Sequence, residues 1–360
     1  MCLRRVLLGA LILAHAWARA APAIPESANG FAFRAWKERR SQGIHGPLGS
    51  WGVYATTVAE SLRATGAMRE SLRTTLDWDA RPESVQTFAV RRARFAEREA
   101  SGLRLALRLT LPSTAKFSSG FLKDALDVLG EVPETWPALA SEKERSRSMA
   151  SAVSFATRGR VSDFRRTQSP LAPAGDVPWG AAVTVLEGTL DVPSSSVASF
   201  DRAQPASKVA RRRTWLTASG TIEAGENEVA RWGELPWGQG AFGLFLYEPR
   251  SGKIASAELA GWDEAWLRGL RAKLKPRGLT VEFPRVQADS GLTDETATLK
   301  ALGWMSPLSL WHRVIVAPTP STNGVQPTPV DRPVWRIDKA FLWIVVERET
   351  GLVLALGESR

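Results

Sequence analysis

One cysteine, Cys2, and three histidines, His15, His45 and His312, are all that this 360-residue chain holds of those two residue types. Cys2 and His15 fall in a leader-like N-terminal segment, so the rest of the chain has no cysteine and two histidines. That excludes disulfides, thiol chemistry and Cys/His zinc sites. It also leaves little for histidine-driven nucleophilic catalysis, so the composition leans away from an enzyme, and neither metal nor cofactor is expected. Beyond the leader no run of about 18 uninterrupted apolar residues occurs, so no membrane span is expected. Walker, H-E-x-x-H and G-x-S-x-G motifs are absent. So is the aromatic-rich basic signature of a nucleic-acid module.

What is present is enough apolar content, 44 % against 23 % charged residues, to bury a substantial core, which rules out a disordered or fibrous chain. Arg4 and Arg5 precede the apolar run Val6 to Ala14, and Ala18-Arg19-Ala20 offers a small-x-small cleavage site. This is the layout of a secretory signal. Cys2 precedes the apolar run, so a lipoprotein anchor is not supported. The expected division is a signal over 1–20, a short linker over 21–27 and one domain over 28–360. The expected product is a soluble monomer, periplasmic or extracellular, stabilised by its core in place of disulfides.

The formal net charge of +10 loses Arg4, Arg5 and Arg19 with the signal. The remaining bases are scattered, with clusters at Arg91, Arg92 and Arg94, at Arg165 and Arg166, and at Arg211 to Arg213. Such runs are ordinarily solvated faces. The first is the candidate for weak polyanion binding, because its three arginines share one expected helix.

Apolar spacings of three and four predict helices over 28–40, 51–62, 83–99 and 121–129. Between the last two, Leu103, Leu105, Leu107, Leu109 and Leu111 alternate with more polar residues, a half-buried strand. The second half is strand-rich, at 183–190, 242–247, 279–283, 314–316, 341–346 and 352–356, with short helices at 262–270 and 294–302. Turn-rich segments lie at 167–178, 193–207 and 317–333. Helices followed by mixed strands argue for an α+β domain. Gly238-Gln239-Gly240 and Gly243 match G-x-G-x-x-G, but the motif runs into a strand and reads as a turn between strands. The fifteen tryptophans are spread along the chain and read as core or groove residues.

The C-terminus is more specific. Asp338-Lys339-Ala340-Phe341-Leu342-Trp343-Ile344, then Thr350-Gly351, then Leu352-Val353-Leu354 and Gly357 resemble the C-terminal signature of the serpin family. Physically it is a hairpin of two apolar runs around a turn whose Gly351 accepts positive φ. Further resemblances follow in family order. Asn29, Phe31, Phe33 and Trp36 match the first helix, and Gly46-Pro47-Leu48 stands where the family has Ser-Pro-Leu-Ser. Leu62, Ala64, Gly66 and Leu72 match the next element, and Leu103–Leu111 with Phe121-Leu122 the strand and helix after it. Val153, Thr157, Gly159, Arg160, Val161 and Asp163 come next. Glu234-Leu235-Pro236-Trp237, Phe283-Pro284-Arg285 and Leu292 to Gly303 complete the series.

The resemblance implies a single α+β domain of three β-sheets with eight or nine helices. It also implies inhibition of serine proteases by a suicide mechanism, in which a cleaved reactive loop inserts into the central sheet. The candidate loop is Ala317, Pro318, Thr319, Pro320, Ser321, Thr322, Asn323, Gly324, Val325, Gln326, Pro327, Thr328 and Pro329, running on to Pro333. Small hinge residues are expected of an inserting loop, yet Ala317 is the only alanine between Gly303 and Asp338. Proline has no amide hydrogen for a ladder and is excluded from central strands. Gly46 and Gly49 replace the family's serines, so the hydrogen bonding that controls sheet opening is expected to be missing. Glu187-Gly188 stands for the family's Asn-Ala, Met68 for a threonine and Ala340 for a proline. The expectation is therefore an exported serpin-like protein that binds a protease or other protein ligand without loop insertion. The alternative is a working serine protease inhibitor, and a third reading is a hydrolase using His45 or His312.

Overall fold

The structure, a computed structural model, describes residues 24–78, 81–115, 117, 119–136, 141–164, 177–192, 197–203, 212–320 and 332–359. Four helices come first: α1 (Ile24–Ser41), α2 (Ser50–Ser61), α3 (Gly66–Leu76) and α4 (Pro82–Glu97). Next are β1 (Leu103–Leu111), α5 (Ser119–Leu129), β2 (Glu134–Thr135), α6 (Glu142–Ala156), β3 (Trp179–Thr189) and β4 (Val197–Ala203). The chain continues with β5 (Arg212–Glu226), β6 (Ala230–Trp237), β7 (Phe242–Pro249), α7 (Ser256–Ala260), α8 (Glu264–Arg271) and β8 (Lys275–Pro284). It ends with β9 (Ala288–Asp289), β10 (Thr293–Asp294), α9 (Thr296–Ala301), β11 (Ser309–Thr319), β12 (Val334–Arg336), β13 (Phe341–Glu347) and β14 (Val353–Ser359).

The α+β class holds, with nine α-helices among the described residues. The strands form two hydrogen-bonded sheets. One has the order β10-β11-β3-β1-β2 with β9 beside β11; the other runs β12-β8-β5-β6-β7-β13-β14 with β4 beside β5. The resemblance implies three sheets. Here the third is continuous with the second, because the 15-residue β5 pairs with β8 from Trp215 to Ala224 and with β6 from Glu223 to Glu226.

The six-stranded sheet is covered on both faces. Leu103, Leu107, Leu109 and Leu111 of β1, with Ala182 and Leu186 of β3, enter the main core with the helices. Ala106, Ala181, Val183 and Val185 face the other way and pack with Met149, Ala150 and Val153 of α6. A strand buried on both faces reads as a continuous apolar run, which is why β3 lacks the alternation of β1. Helix α2 is buried at every position and lies directly beneath the sheet. A Cβ at Gly180 would come within 2.9 Å of both Thr56 Cγ2 and Leu310 Cδ1, so the glycine sets how closely α2 approaches β3 and β11.

Several expectations change. The segment 193–207, read as turns, contains β4. Helix α6 and the long β5 carry no strong apolar signal: α6 buries only Met149, Ala150 and Val153. The hairpin glycine Gly351 takes φ 74°, as expected, and Gly238, Gln239 and Gly240 all take positive φ in the turn between β6 and β7. Among the described residues twelve tryptophans are buried. Trp36, Trp262 and Trp266 stack in series, with ring centroids 6.1 and 4.9 Å apart, and Arg40 lies 5.3 Å over Trp36. Residues 1–23, where the signal and the first three linker residues fall, lie outside the described residues; the other four linker residues, 24–27, are not a linker but the first turn of α1.

Candidate functional site

The site is the seam between β3 and β11. The two strands are parallel and paired from Ser309↔Trp179 to Thr319↔Thr189, the full length of both. The ladder runs on at each end: Ser309 N–H donates to the Pro178 carbonyl at 3.0 Å, and Leu190 N–H to that of Thr319 at 3.1 Å. Thr319 Oγ1 donates to the Gly188 carbonyl at 3.0 Å and closes the upper end.

Helix α2 clasps the β11 segment at both of its ends. At its start, Gly49 N–H donates to His312 Nε2 at 2.8 Å. At its far end, Ser306 Oγ donates to Glu60 Oε1 at 2.7 Å, and Glu60 also receives Arg63 Nε at 2.7 Å. Because His312 Nε2 accepts, it carries no proton, and the ring proton of the neutral imidazole sits on Nδ1. Nδ1 lies 3.2 Å from Glu295 Oε1, which lies 3.5 Å from Arg39 Nε. Arg39 Nη1 donates to the Pro47 carbonyl at 2.9 Å.

Arg39, Glu295 and His312 are all fully or almost fully buried. Burial pulls the His312 imidazolium below the ordinary histidine range, and Glu295 only partly opposes it. For Glu295, burial raises the carboxyl, but pairing with His312 and Arg39 and a hydrogen bond to Thr298 outweigh it and hold it below the ordinary range. The cluster therefore pairs one cation with one anion beside a neutral ring, the arrangement that buried charge requires.

One expectation is corrected here. The hydrogen bonding between the start of α2 and β11 is not lost with the serines, since the Gly49 backbone amide supplies it; Ser50 Oγ donates to the Val353 carbonyl of β14 at 3.0 Å. Thr184 also faces this cluster: a Cβ at Gly49 would sit 3.1 Å from Thr184 Oγ1. Glu187 pairs with Arg104 at 3.3 Å and Arg160 at 2.5 Å.

Of the candidate loop, Ala317, Pro318 and Thr319 belong to β11, which runs three residues further than the sequence reading sets it. Pro320 follows the strand. Ser321, Thr322, Asn323, Gly324, Val325, Gln326, Pro327, Thr328 and Pro329 lie outside the described residues. Pro318 is paired opposite Gly188 near the upper end of the seam, beyond the last β11 residue that β9 covers, so the side where its amide hydrogen is missing needs no partner.

The arginines of α4 do not form one open patch. Arg91 Nη1 donates to Glu347 Oε2 at 2.7 Å and Arg94 Nη1 to Glu349 Oε1 at 2.7 Å. Arg92 turns elsewhere, its stem lying over Gly130. His45 is half-exposed, 3.8 Å from Glu358, whereas His312 has no exposed surface through which to meet a substrate. Among the described residues no group of three or more His, Cys, Asp or Glu is arranged to hold a metal ion, and no helix is long and apolar enough to cross a membrane.

Sequence reasoning missed Arg39, Glu60, Thr184, Glu295 and Ser306. Arg39 had a signal: it continues the three-four spacing of Phe31, Ala32, Ala35 and Trp36 on the buried face of α1. A charge on an apolar stripe implies a buried partner. Glu295 had none, since its partners come from α1 and β11.

No family model matches the chain, and no curated protein sequence matches it. Solved structures do. Maspin superposes with a TM-score of 0.79 over 93 % of this chain and 97 % of its own, at 12 % identity. The mouse protein-Z-dependent protease inhibitor gives 0.77 over 95 % and 98 %, at 13 % identity. Native protease nexin-1, solved with heparin, gives 0.74 over 93 % and 98 %, at 14 % identity. These neighbours are serpins. Identity this low speaks to architecture, and the architecture is the serpin fold.

Proposed function

We propose that this chain is an exported serpin-fold binding protein that engages a protease, or another protein ligand, reversibly through the segment joining β11 to β12, without inserting that segment into the six-stranded sheet. The observation that carries this reading is the proline content of the segment joining β11 to β12. Between Thr319 and Val334 stand Pro320, Pro327, Pro329 and Pro333. An inserted strand would lie between β3 and β11 and would need amide donors toward both. Every proline there removes one. The full-length pairing of β3 with β11 supports the same reading, because insertion must first break that ladder, each bond contributing about 1 kcal/mol net.

Export rests on the leader-like residues 4–20. The structure of protease nexin-1 with heparin concerns that protein; here Arg91 and Arg94 are committed to Glu347 and Glu349, so polyanion binding through α4 is no part of this function.

The test incubates the purified protein with a panel of serine proteases and resolves the products on a denaturing gel. Nicking or no reaction, with saturable and reversible association, is the expected result. A covalent band at the summed mass would overturn the reading and establish the alternative, suicide inhibition.

A further inference from the structure

A cavity of about 1040 Å³ opens at the upper end of the seam, where β3 and β11 run out at Thr189 and Thr319. It lies at the base of the segment that leaves β11 for β12. Four arginines and three carboxylates line it: Arg104, Arg158, Arg160 and Arg285 against Glu97, Glu187 and Asp191. Two of the acids are already engaged. Glu187 is shared between Arg104 at 3.3 Å and Arg160 at 2.5 Å. Asp191 Oδ2 accepts the Gln239 N–H at 2.5 Å, and Glu97 is exposed on α4. Arg285 has no acidic partner among the described residues. The Nε atoms of Arg285 and of Arg104 are both buried without an acceptor.

The backbone fixes these arginines on the cavity wall. Arg285 directly follows β8, where its own N–H is held by the Thr214 carbonyl at 2.9 Å. Arg158, at φ 51°, and Gly159, at φ 76°, form the left-handed turn after α6 that brings Arg158 and Arg160 to the strand ends. A buried guanidinium donor without an acceptor is costly, and a carboxylate is a strong acceptor for it. The cavity stands at the top of the range for small-molecule sites, roughly 300–1,000 Å³, and its lining is polar where theirs is mainly apolar. Recessed donors also disfavour a rod-like sulfated glycan, which tracks guanidiniums standing out from a surface. A side-chain carboxylate carried on a peptide loop reaches them.

We propose that this cavity docks an acidic loop of the protein ligand, with Asp or Glu carboxylates of that loop on Arg285 and Arg104. On the reading that the β11–β12 segment engages a protein, on which this assignment rests, that protein carries negative charge where it meets the base of the segment.

Fluorescence anisotropy of the purified protein with a labelled octaglutamate peptide tests it, with octaglutamine as the neutral counterpart. Octaglutamate binds saturably, and more weakly as salt rises, whereas octaglutamine does not bind. Arg285→Gln weakens octaglutamate about tenfold or more, and Arg94→Gln on α4 leaves it unchanged. Gln287→Glu, at an exposed position on the cavity wall, weakens it in the same direction without lowering the melting temperature, which covers the case in which Arg285→Gln fails to fold. No saturable binding of octaglutamate, equal affinity in the wild-type and Arg285→Gln proteins, or Arg285-dependent binding of heparin alone overturns the proposal. The assay contains no protease, so its failure would leave the reversible reading standing, and a covalent band on the denaturing gel would end that reading without touching this result.

Discussion

Arg91 on α4 and Glu347 at the end of β13, 256 positions apart in sequence, form a buried ion pair at 2.7 Å. Glu347 is fully buried and also receives Arg98 Nη1 at 2.6 Å and the hydroxyl of Thr350. The pair ties the helical first half of the chain to the C-terminal hairpin. Truncating one partner of a buried pair strands the other charge. Arg91→Ala should therefore cost about 3–5 kcal/mol in urea unfolding, softened toward the lower figure by Arg98. A loss below about 1 kcal/mol would show that the pair is dispensable. Retention on heparin should be unchanged in the same variant, provided it still folds.

Gly49 is the position where the serpin resemblance expects a serine, and the structure has no room for one. A Cβ there would stand 2.9 Å from His312 Nε2, 3.1 Å from Thr184 Oγ1 and 3.2 Å from Val314 Cβ. Restoring the family residue should thus destabilise this chain. Gly49→Ser is expected to cost about 1–3 kcal/mol, the usual toll of overpacking, and a stabilised variant in thermal unfolding would refute the reading of the cluster as closely packed.

Much of the fold is legible where one face of an element is only partly covered. The leucines of β1 alternate because its other face is only partly covered, and that strand was read with the right bounds, Leu103–Leu111. Strand β3 was read four residues late. Gly180, Ala181 and Ala182 have no strand-like side chains, being small where α2 and α6 press on the sheet. In β5 the inward residues Leu216, Ala218, Ile222 and Ala224 do alternate, but two are alanine and the pattern was faint. Helix α6 is absent from the sequence reading, although its capping box, Ser141 with Glu144, is a signal that could have found it. The clasp between α2 and β11 was half legible: His312 and Gly49 were both singled out, yet the Glu295 and Arg39 that complete the cluster are distant in sequence and meet only in the folded chain.

His312 makes the stability of the seam depend on pH. Its folded pKa lies below the ordinary value, so the unfolded chain binds the proton more readily. The stabilisation is complete above about pH 6.5, the ordinary histidine pKa, and is lost as pH falls from there toward the depressed folded value. Structurally, a proton on Nε2 would set two donors, that N–H and the Gly49 amide, against each other. Glu295, also held low, adds a further loss once pH drops through the carboxylate range, in the same direction. Replacing His312 with Gln keeps an acceptor for Gly49 and removes the titration. Urea midpoints measured between about pH 7 and pH 5.5 should fall more steeply in the wild type than in His312→Gln. Parallel slopes would mean that other groups control the acid response.

The segment between β11 and β12 gives the last prediction. In a protein whose cut loop joins the central sheet, cleavage adds a strand and a row of hydrogen bonds, and the melting temperature climbs by tens of degrees. Here the ladder from Ser309 to Thr319 is already closed onto β3, and the chain that leaves it carries four prolines before Val334. Cleavage within 320–333 should leave the melting temperature within a few degrees of the intact protein. The informative partner is a variant with Pro320, Pro327, Pro329 and Pro333 all changed to Ala, which restores the amide donors. If proline is what bars insertion, cleaving that variant raises its melting temperature while cleaving the parent does not. A large rise in the cleaved parent would show that the seam opens despite the prolines.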